Sequence, residues 1–332
     1  MAIPLLKKGY DVHLVASKWV SFSDIYKSFG YWLDIEQLRE LIKLHAPTTD
    51  VFHCHNEPSW FVTMIKEICD VPVVLDIHDS FAARVTDEEK TEIFEKEGKE
   101  LVRLTAEERN NFQLADALVF PGKDFADIVV NEFKLTQPKI ILPSYVPESL
   151  YRYNIQDWYG GLVYEGKVQL NFEARHSYGF RYCNYIELAK KCKEIGMDLH
   201  FYSREDEEFK KEYEPYAVCH DPVVYKEMIK CIARHDWGLV GNVTKTPEWN
   251  IAFPNKLFEY IAAGIPVVAI NAKQCEDFLT TEGVGISVQS IEELGNRWGE
   301  HREIRKKLIK KRMKYSMDNN IEPLEKMYKE LT

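Results

Sequence analysis

The chain reads as an α/β protein built in two similar halves, and three observations predict this. Strand-like apolar runs alternate with helical patterns along the whole sequence. The alternation breaks once, over Pro143–Tyr159, where prolines, Trp158 and a following glycine pair interrupt it, and then restarts. A length of 332 residues also exceeds what one hydrophobic core usually serves, so two domains are the default.

In the first half the strands are Asp11–Ala16, Val51–His55, Val71–His78, Ala117–Phe120 and Ile140–Leu142. Helical stretches around Ile35–His45, Trp60–Ile68, Glu88–Ala115 and Phe125–Phe133 separate them. The second half restarts with a strand at Gly161–Glu165. It continues through Leu199–Tyr202, Ala217–Cys219, Trp237–Gly241, Val267–Ile270 and Gly285–Val288. These breaks give a domain over 1–148, a second over 149–315, and a C-terminal helix over 316–332.

Composition narrows the function. A hydrophobic share of 45% with 29% charged residues describes an ordinary globular chain. A net charge of -10 argues against nucleic acid as a partner, because phosphate contacts need a basic face. Seven scattered cysteines without a Cys-x-x-Cys pair fit a reduced, cytoplasmic setting rather than a disulfide or zinc framework. The longest apolar runs are strand length, and no signal peptide or membrane span is expected.

The most informative stretch runs from Phe253 to Ile270. Pro254 suits a first helical position, Gly264 a left-handed stop, and Pro266 forbids continuation. The Val-Val-Ala-Ile run that follows is apolar on both faces, as a central parallel strand requires. A helix start beside the strand ends of an α/β sheet offers backbone N–H groups to a phosphate. Lys256 and Glu259 are expected in the first turn, one placed for phosphate and the other for a sugar hydroxyl.

From Pro254 through Ala269 the stretch resembles the donor-binding signature of GT-B glycosyltransferases, in particular the large retaining family 4: Pro-x-Lys-x-x-Glu-Tyr-x-Ala-x-Gly-x-Pro-Val-Val-Ala. The resemblance implies two Rossmann-like domains facing across a cleft. It implies that Glu259 holds the ribose hydroxyls of a nucleotide sugar and that Lys256 and Asn255 lie near its diphosphate. The family's fuller form has a second glutamate where this chain has Ile251. Asp236-Trp-Gly-Leu matches the strand leading into the signature, and the loop after it is expected over the donor, with Asn250 and Phe253 near base or sugar. Val163-Tyr-Glu-Gly166 resembles the first strand and turn of the donor domain, so Gly166 is a donor-binding candidate. Lys167, Arg181 and Lys256 are the candidate cations for the diphosphate.

Two strand ends of the first half carry His53, His55, Asn56, Asp76, His78 and Asp79. Alternation sends His53 and His55 to one face, and Asp76 and His78 likewise. The resemblance places His78 near the transferring sugar, where a histidine orients the acceptor hydroxyl or takes up its proton. His78 and Asp79 are therefore the catalytic candidates, with His55 and Asn56 on the acceptor side. The competing reading is a metal-dependent hydrolase site, because His-x-His is a common metal motif. A third reading has these groups hydrogen-bonded to backbone inside the domain.

Both chain ends add expectations. Relatives have a strand and a Gly-rich loop before a helix ending Lys-x-Gly, and here that helix opens the sequence, so the first strand is expected to be missing. Glu303–Lys314 places apolar residues at 304, 308, 309 and 313 on a basic helix, which reads as a packed helix with a solvated face or as a membrane-surface contact. The resulting expectation is a cytoplasmic transferase, with the inner face of a membrane as an alternative location. It would move a sugar with retention from a nucleotide diphosphate donor to a glycan, lipid-linked or small-molecule hydroxyl, with no cofactor or metal. The alternative of another class is a non-catalytic or truncated GT-B-like binding protein, motivated by Ile251 and the chain start.

Overall fold

The computed structural model describes residues 1–17, 23–55, 59–80, 106–151, 158–166, 168, 184–203, 207–243, 250–251 and 253–332. The chain divides into two compact units, Met1–Pro143 with Asn320–Thr332, and Ser144–Asn319.

The first unit holds six strands: β1 (His13–Ala16), β2 (Ser28–Tyr31), β3 (Phe52–His55), β4 (Val73–Asp76), β5 (Ala117–Phe120) and β6 (Lys139–Ile141). Strands β3 to β6 form a parallel sheet in sequence order. Its two central members, β4 and β5, are buried along their whole length. Their largely apolar sequence, with Asp76 the exception at the end of β4, follows from helices covering a parallel sheet on both faces. Strand β1 pairs instead with β2 in a separate parallel ribbon. Sequence reading missed β2, which at Ser28-Phe-Gly-Tyr is short and interrupted by a glycine. The helix Ile35–His45 forms as expected, with the Asp34 side chain capping the Gln37 N–H. Of the helix expected over Glu88–Ala115, residues 106–114 are helical, and the part before residue 106 lies outside the described residues.

The C-terminal helix Glu322–Leu331 belongs to this first unit. It buries Leu324 and Met327, and Glu325 forms an ion pair with Lys8. No local pattern in the sequence foretold that return.

The second unit contains β7 (Leu162–Glu165), β8 (Leu199–Tyr202), β9 (Val218–His220), β10 (Trp237–Gly241), β11 (Val267–Ile270) and β12 (Gly285–Val288). All pair in parallel, in the order β12-β11-β10-β7-β8-β9. The order reverses direction at β7 and β10, the kind of switch point where ligands bind beyond the carboxyl ends of strands. The helix Asn255–Ala263 packs across this point with seven consecutive buried residues, Leu257 to Ala263. It ends at Gly264 in the left-handed conformation (φ 76°), as the sequence predicts. Its start differs by one residue: Pro254 is extended (ψ 146°) and caps the helix rather than opening it.

Tyr260 lies flat on β10 at Gly238, where an added Cβ would fall 2.3 Å from the ring. The same hydroxyl accepts a hydrogen bond from the Glu165 N–H at the end of β7, 3.1 Å away. On the basic helix His301–Lys311, Leu308 is buried, Ile309 is exposed and Arg305 lies over the Trp158 ring at 4.3 Å. That helix is packed, with a solvated basic side. Among the described residues no helix is long and apolar enough to cross a membrane.

Gly238→Ala is expected to destabilise the second unit by about 3 kcal/mol, since the ring cannot move off the strand without losing its hydrogen bond. A urea midpoint unchanged from wild type would contradict this.

Candidate functional site

In the second unit the signature helix delivers Glu259 and Lys256 to the end of β7. Because the helix begins at Asn255, Glu259 lies beyond its first turn, so a helix-dipole role does not explain it. Its side chain is buried, with 6% of its surface exposed. Burial first, and then the neighbouring Glu165 carboxyl, which is hydrogen-bonded to it, push the Glu259 pKa well above the usual range. Lys256 and a hydrogen bond donated by the Tyr225 hydroxyl oppose that rise. Glu259 therefore holds its proton more tightly than an ordinary glutamate, beside a carboxyl that can accept it, so the pair can both donate and accept. That suits a vicinal diol such as a ribose.

Lys256 lies over the Tyr164 ring at 4.9 Å. It also borders Gly166, where a Cβ would sit 3.4 Å from the lysine Cε and Nζ. Gly166 has a φ of 125°, a conformation that favours glycine, so the chain leaves β7 with backbone rather than side chain beside the ammonium. Asn255 is exposed at the helix start, and Asn250 is exposed just before it. Phe253 is half-buried against Phe258 and Phe278, with centroids 5.8 and 5.4 Å away. Lys167 and Arg181 lie outside the described residues. Glu276 accepts from the Ala272 N–H at the start of its own helix, a structural role. Sequence reading missed Glu165 and Tyr225. Glu165 had a signal, being the last charged residue before Gly166 at a strand end, but Tyr225 had none.

In the first unit the β3 and β4 ends converge on one carboxylate, since register places His55 beside Asp76. Asp76 Oδ2 lies 3.0 Å from both His55 Nδ1 and His78 Nε2. His53 Nε2 stops at 3.9 Å, beyond hydrogen-bond reach, while its Nδ1 meets the Tyr328 hydroxyl of the C-terminal helix. Burial alone would raise the Asp76 carboxyl, but the three facing imidazoles prevail and hold it well below the usual range. For His78, burial works downward, yet the contact with Asp76 leaves its pKa raised. His53 is pushed down to about 4, chiefly by burial.

Asp76 Oδ1 and His53 Nε2 are buried without a hydrogen-bond partner. His53, His55 and Asp76 also lie close enough to hold an ion. The 3.0 Å contacts to a single oxygen are nevertheless those of imidazole donors, which turns those nitrogens toward the carboxylate rather than toward a metal. Asp79, beside His78, adds negative charge that favours the imidazolium. Asn56 lies outside the described residues. The convergence of His53, His55, Asp76 and His78 thus agrees with the faces that alternation predicts.

Comparison with known proteins fits these geometries. Residues 182–321 match a family model described as the C-terminal domain of glucosyltransferase 3-like proteins. No curated protein sequence matches the chain. Among solved structures, sucrose-phosphate synthase from Thermosynechococcus elongatus is 12% identical, with a TM-score of 0.68 over 99% of this chain and 90% of that one. Anabaena HepE, solved in complex with UDP-glucose, is 12% identical with a TM-score of 0.65, covering 98% and 94%. AviGT4, a glycosyltransferase of avilamycin A biosynthesis, is 13% identical with a TM-score of 0.59, covering 99% and 87%. The fold is that of the GT-B glycosyltransferases, with Rossmann-like α/β units.

Because Glu259 holds its proton more tightly folded than unfolded, that proton is released on unfolding above the ordinary glutamate value of 4.5. Stability is therefore expected to fall as pH rises from there toward neutrality. Asp76 runs the other way: its contribution is full above 3.8 and is lost as pH falls through the lower folded value. In Glu259→Gln the decline above pH 4.5 should flatten. Urea midpoints measured from pH 4.5 upward test it, and an unaltered pH profile would refute a tightly held proton on Glu259.

Proposed function

We propose that this chain is a glycosyltransferase that moves a sugar from a nucleotide diphosphate-sugar to an acceptor hydroxyl, in glycan or glycoconjugate synthesis. The observation that carries this reading is the folded signature, in which one helix brings a lysine beside Gly166 and a buried glutamate to the neighbouring Glu165. Donor binding is assigned to Gly166, Lys167, Arg181, Asn250, Phe253, Asn255, Lys256 and Glu259. Glu259 clasps the ribose hydroxyls. Lys256, with Arg181 or Lys167 and the helix N–H groups, takes the diphosphate. Leaving-group charge develops on that diphosphate, and fixed donors aimed there lower the barrier without requiring a metal.

The first unit is assigned the acceptor. His78, held by Asp76 and favoured as an imidazolium, orients the acceptor hydroxyl, with Asp79, His55 and Asn56 around it. Retention then follows a same-face route in which the departing phosphate oxygen accepts the acceptor's proton. UDP-glucose is the first donor to try, because a protein of this fold is described in complex with it. Location in the cytoplasm, with acceptors at the inner face of a membrane, is part of the same proposal.

The test is turnover with UDP- and GDP-sugars. Glu259→Ala is expected to raise the donor KM by about 10- to 100-fold, the loss of a buried pair of hydrogen bonds. His78→Ala should instead lower kcat by roughly 100-fold with little change in donor KM. Donor binding with no turnover under any acceptor would favour the non-catalytic binding protein. Unchanged kinetics in the Glu259 variant would reject the donor site.

A further inference from the structure

We propose that His200, His220 and His235 form a binding site for one divalent transition-metal ion of the Zn2+ type, separate from the sugar-transfer machinery. His200 lies on β8, His220 ends the edge strand β9, and His235 stands just before β10. Tyr202 pairs with His220 and His200 with Val218, so both histidines fall on the same face of adjoining strands. One ring nitrogen from each of the three histidines lies within 4.8 Å of the other two. At the start of β7, Gly161 leaves room for them: a Cβ there would sit 2.9 Å from His200 Cδ2.

The tautomers suit an ion. His235 Nδ1–H donates to the Gly160 carbonyl at 2.7 Å, which leaves a lone pair on Nε2. Metal-bound histidines are oriented in this way by a backbone carbonyl behind them. Burial disfavours protonation of all three rings, holding His220 at about 4 and His235 at about 3, so at neutral pH they present lone pairs instead of charges. Asp198 and Asp221 lie near enough to favour positive charge on His200 and His220.

Three imidazoles with no carboxylate or thiolate among them select Zn2+, Co2+, Ni2+ or Cu2+ over Mg2+ or Ca2+. His200 Nδ1 and His220 Nε2 are 3.0 Å apart, so without an ion they share one hydrogen. A tetrahedral ion with bonds of about 2.0–2.1 Å separates its ligand nitrogens by about 3.3 Å. Binding therefore needs the ring that holds this hydrogen to carry it on its other nitrogen, and the three ligand nitrogens to adjust to that spacing. Water takes the fourth position, beside the Tyr202 hydroxyl that stands 3.4 Å from His235 Nε2. Such an ion ties β9 to the entrance of β10. It thereby closes the segment carrying the helix Tyr225–Ile232, whose Tyr225 donates to Glu259.

The experiment is titration of chelator-treated full-length protein with Zn2+ and Co2+. One equivalent should bind, Co2+ should show the intense visible absorption of a tetrahedral site, and Tm should rise with Zn2+. His220→Gln and His235→Gln should each weaken binding more than about tenfold. His55→Ala, in the other histidine cluster, should leave it intact. Urea midpoints in chelator establish that each variant is folded. No saturable equivalent, equal binding in the His220 and His235 variants, or loss of binding in His55→Ala would overturn the proposal. So would variants whose stability deficit is the same with and without Zn2+, which would mark the cluster as a hydrogen-bonded one only.

Discussion

The second unit depends on the way Tyr260 crosses β10. Its ring lies flat on Gly238 and its hydroxyl receives the Glu165 N–H, so one side chain joins the signature helix to two strands. The contact is possible only because β10 offers a glycine where any side chain would collide. Everything polar at the site inherits this geometry. Glu259, on the same helix, meets the Glu165 carboxyl at the end of β7. Lys256, one turn earlier, comes to rest by Gly166 and Tyr164. The helix stop at Gly264 serves the same end, releasing the chain directly into buried β11.

Each unit buries a carboxyl, and the outcomes are opposite for a definable reason. Desolvation raises Asp76 and Glu259 alike. Around Asp76 three imidazoles face the group, so the charge is retained and His78 is held as its counter-ion. Around Glu259 the nearest neighbour is another carboxyl, and two like charges in a dry site cannot both persist. One arrangement makes a fixed ion pair suited to aiming an imidazole. The other makes a protonated glutamate beside a second carboxyl, suited to hydroxyl groups. Neither state can be inferred from residue type, since both begin as an acid at or near a strand or helix end.

Much of the framework was legible. Strands such as Ala117–Phe120 and Val267–Ile270 fall where their unbroken apolar runs place them. Gly264 marks a helix stop, and the helix Ile35–His45 forms over its expected span. The faces of His53, His55, Asp76 and His78 followed from strand alternation, and the structure gathers all four. Where reading failed, the signal was weak or distant. Ser28–Tyr31 is too short and too glycine-interrupted to announce a strand. Pro254 fits a cap as well as a first helical residue, and only its extended ψ separates the two.

By itself the sequence determined the alternating elements, the division into halves and the local chemistry of the signature. These are written in dihedral preferences and periodicities spanning a few residues. Tertiary structure alone decided that Glu165 and Tyr225 meet Glu259, that Tyr328 returns to His53, and that three scattered histidines converge. The physical reason is the crossover order of the second sheet and the return of the last helix. Side chains far apart in the chain share a face only once strands are ordered β12-β11-β10-β7-β8-β9, and no local pattern encodes that order.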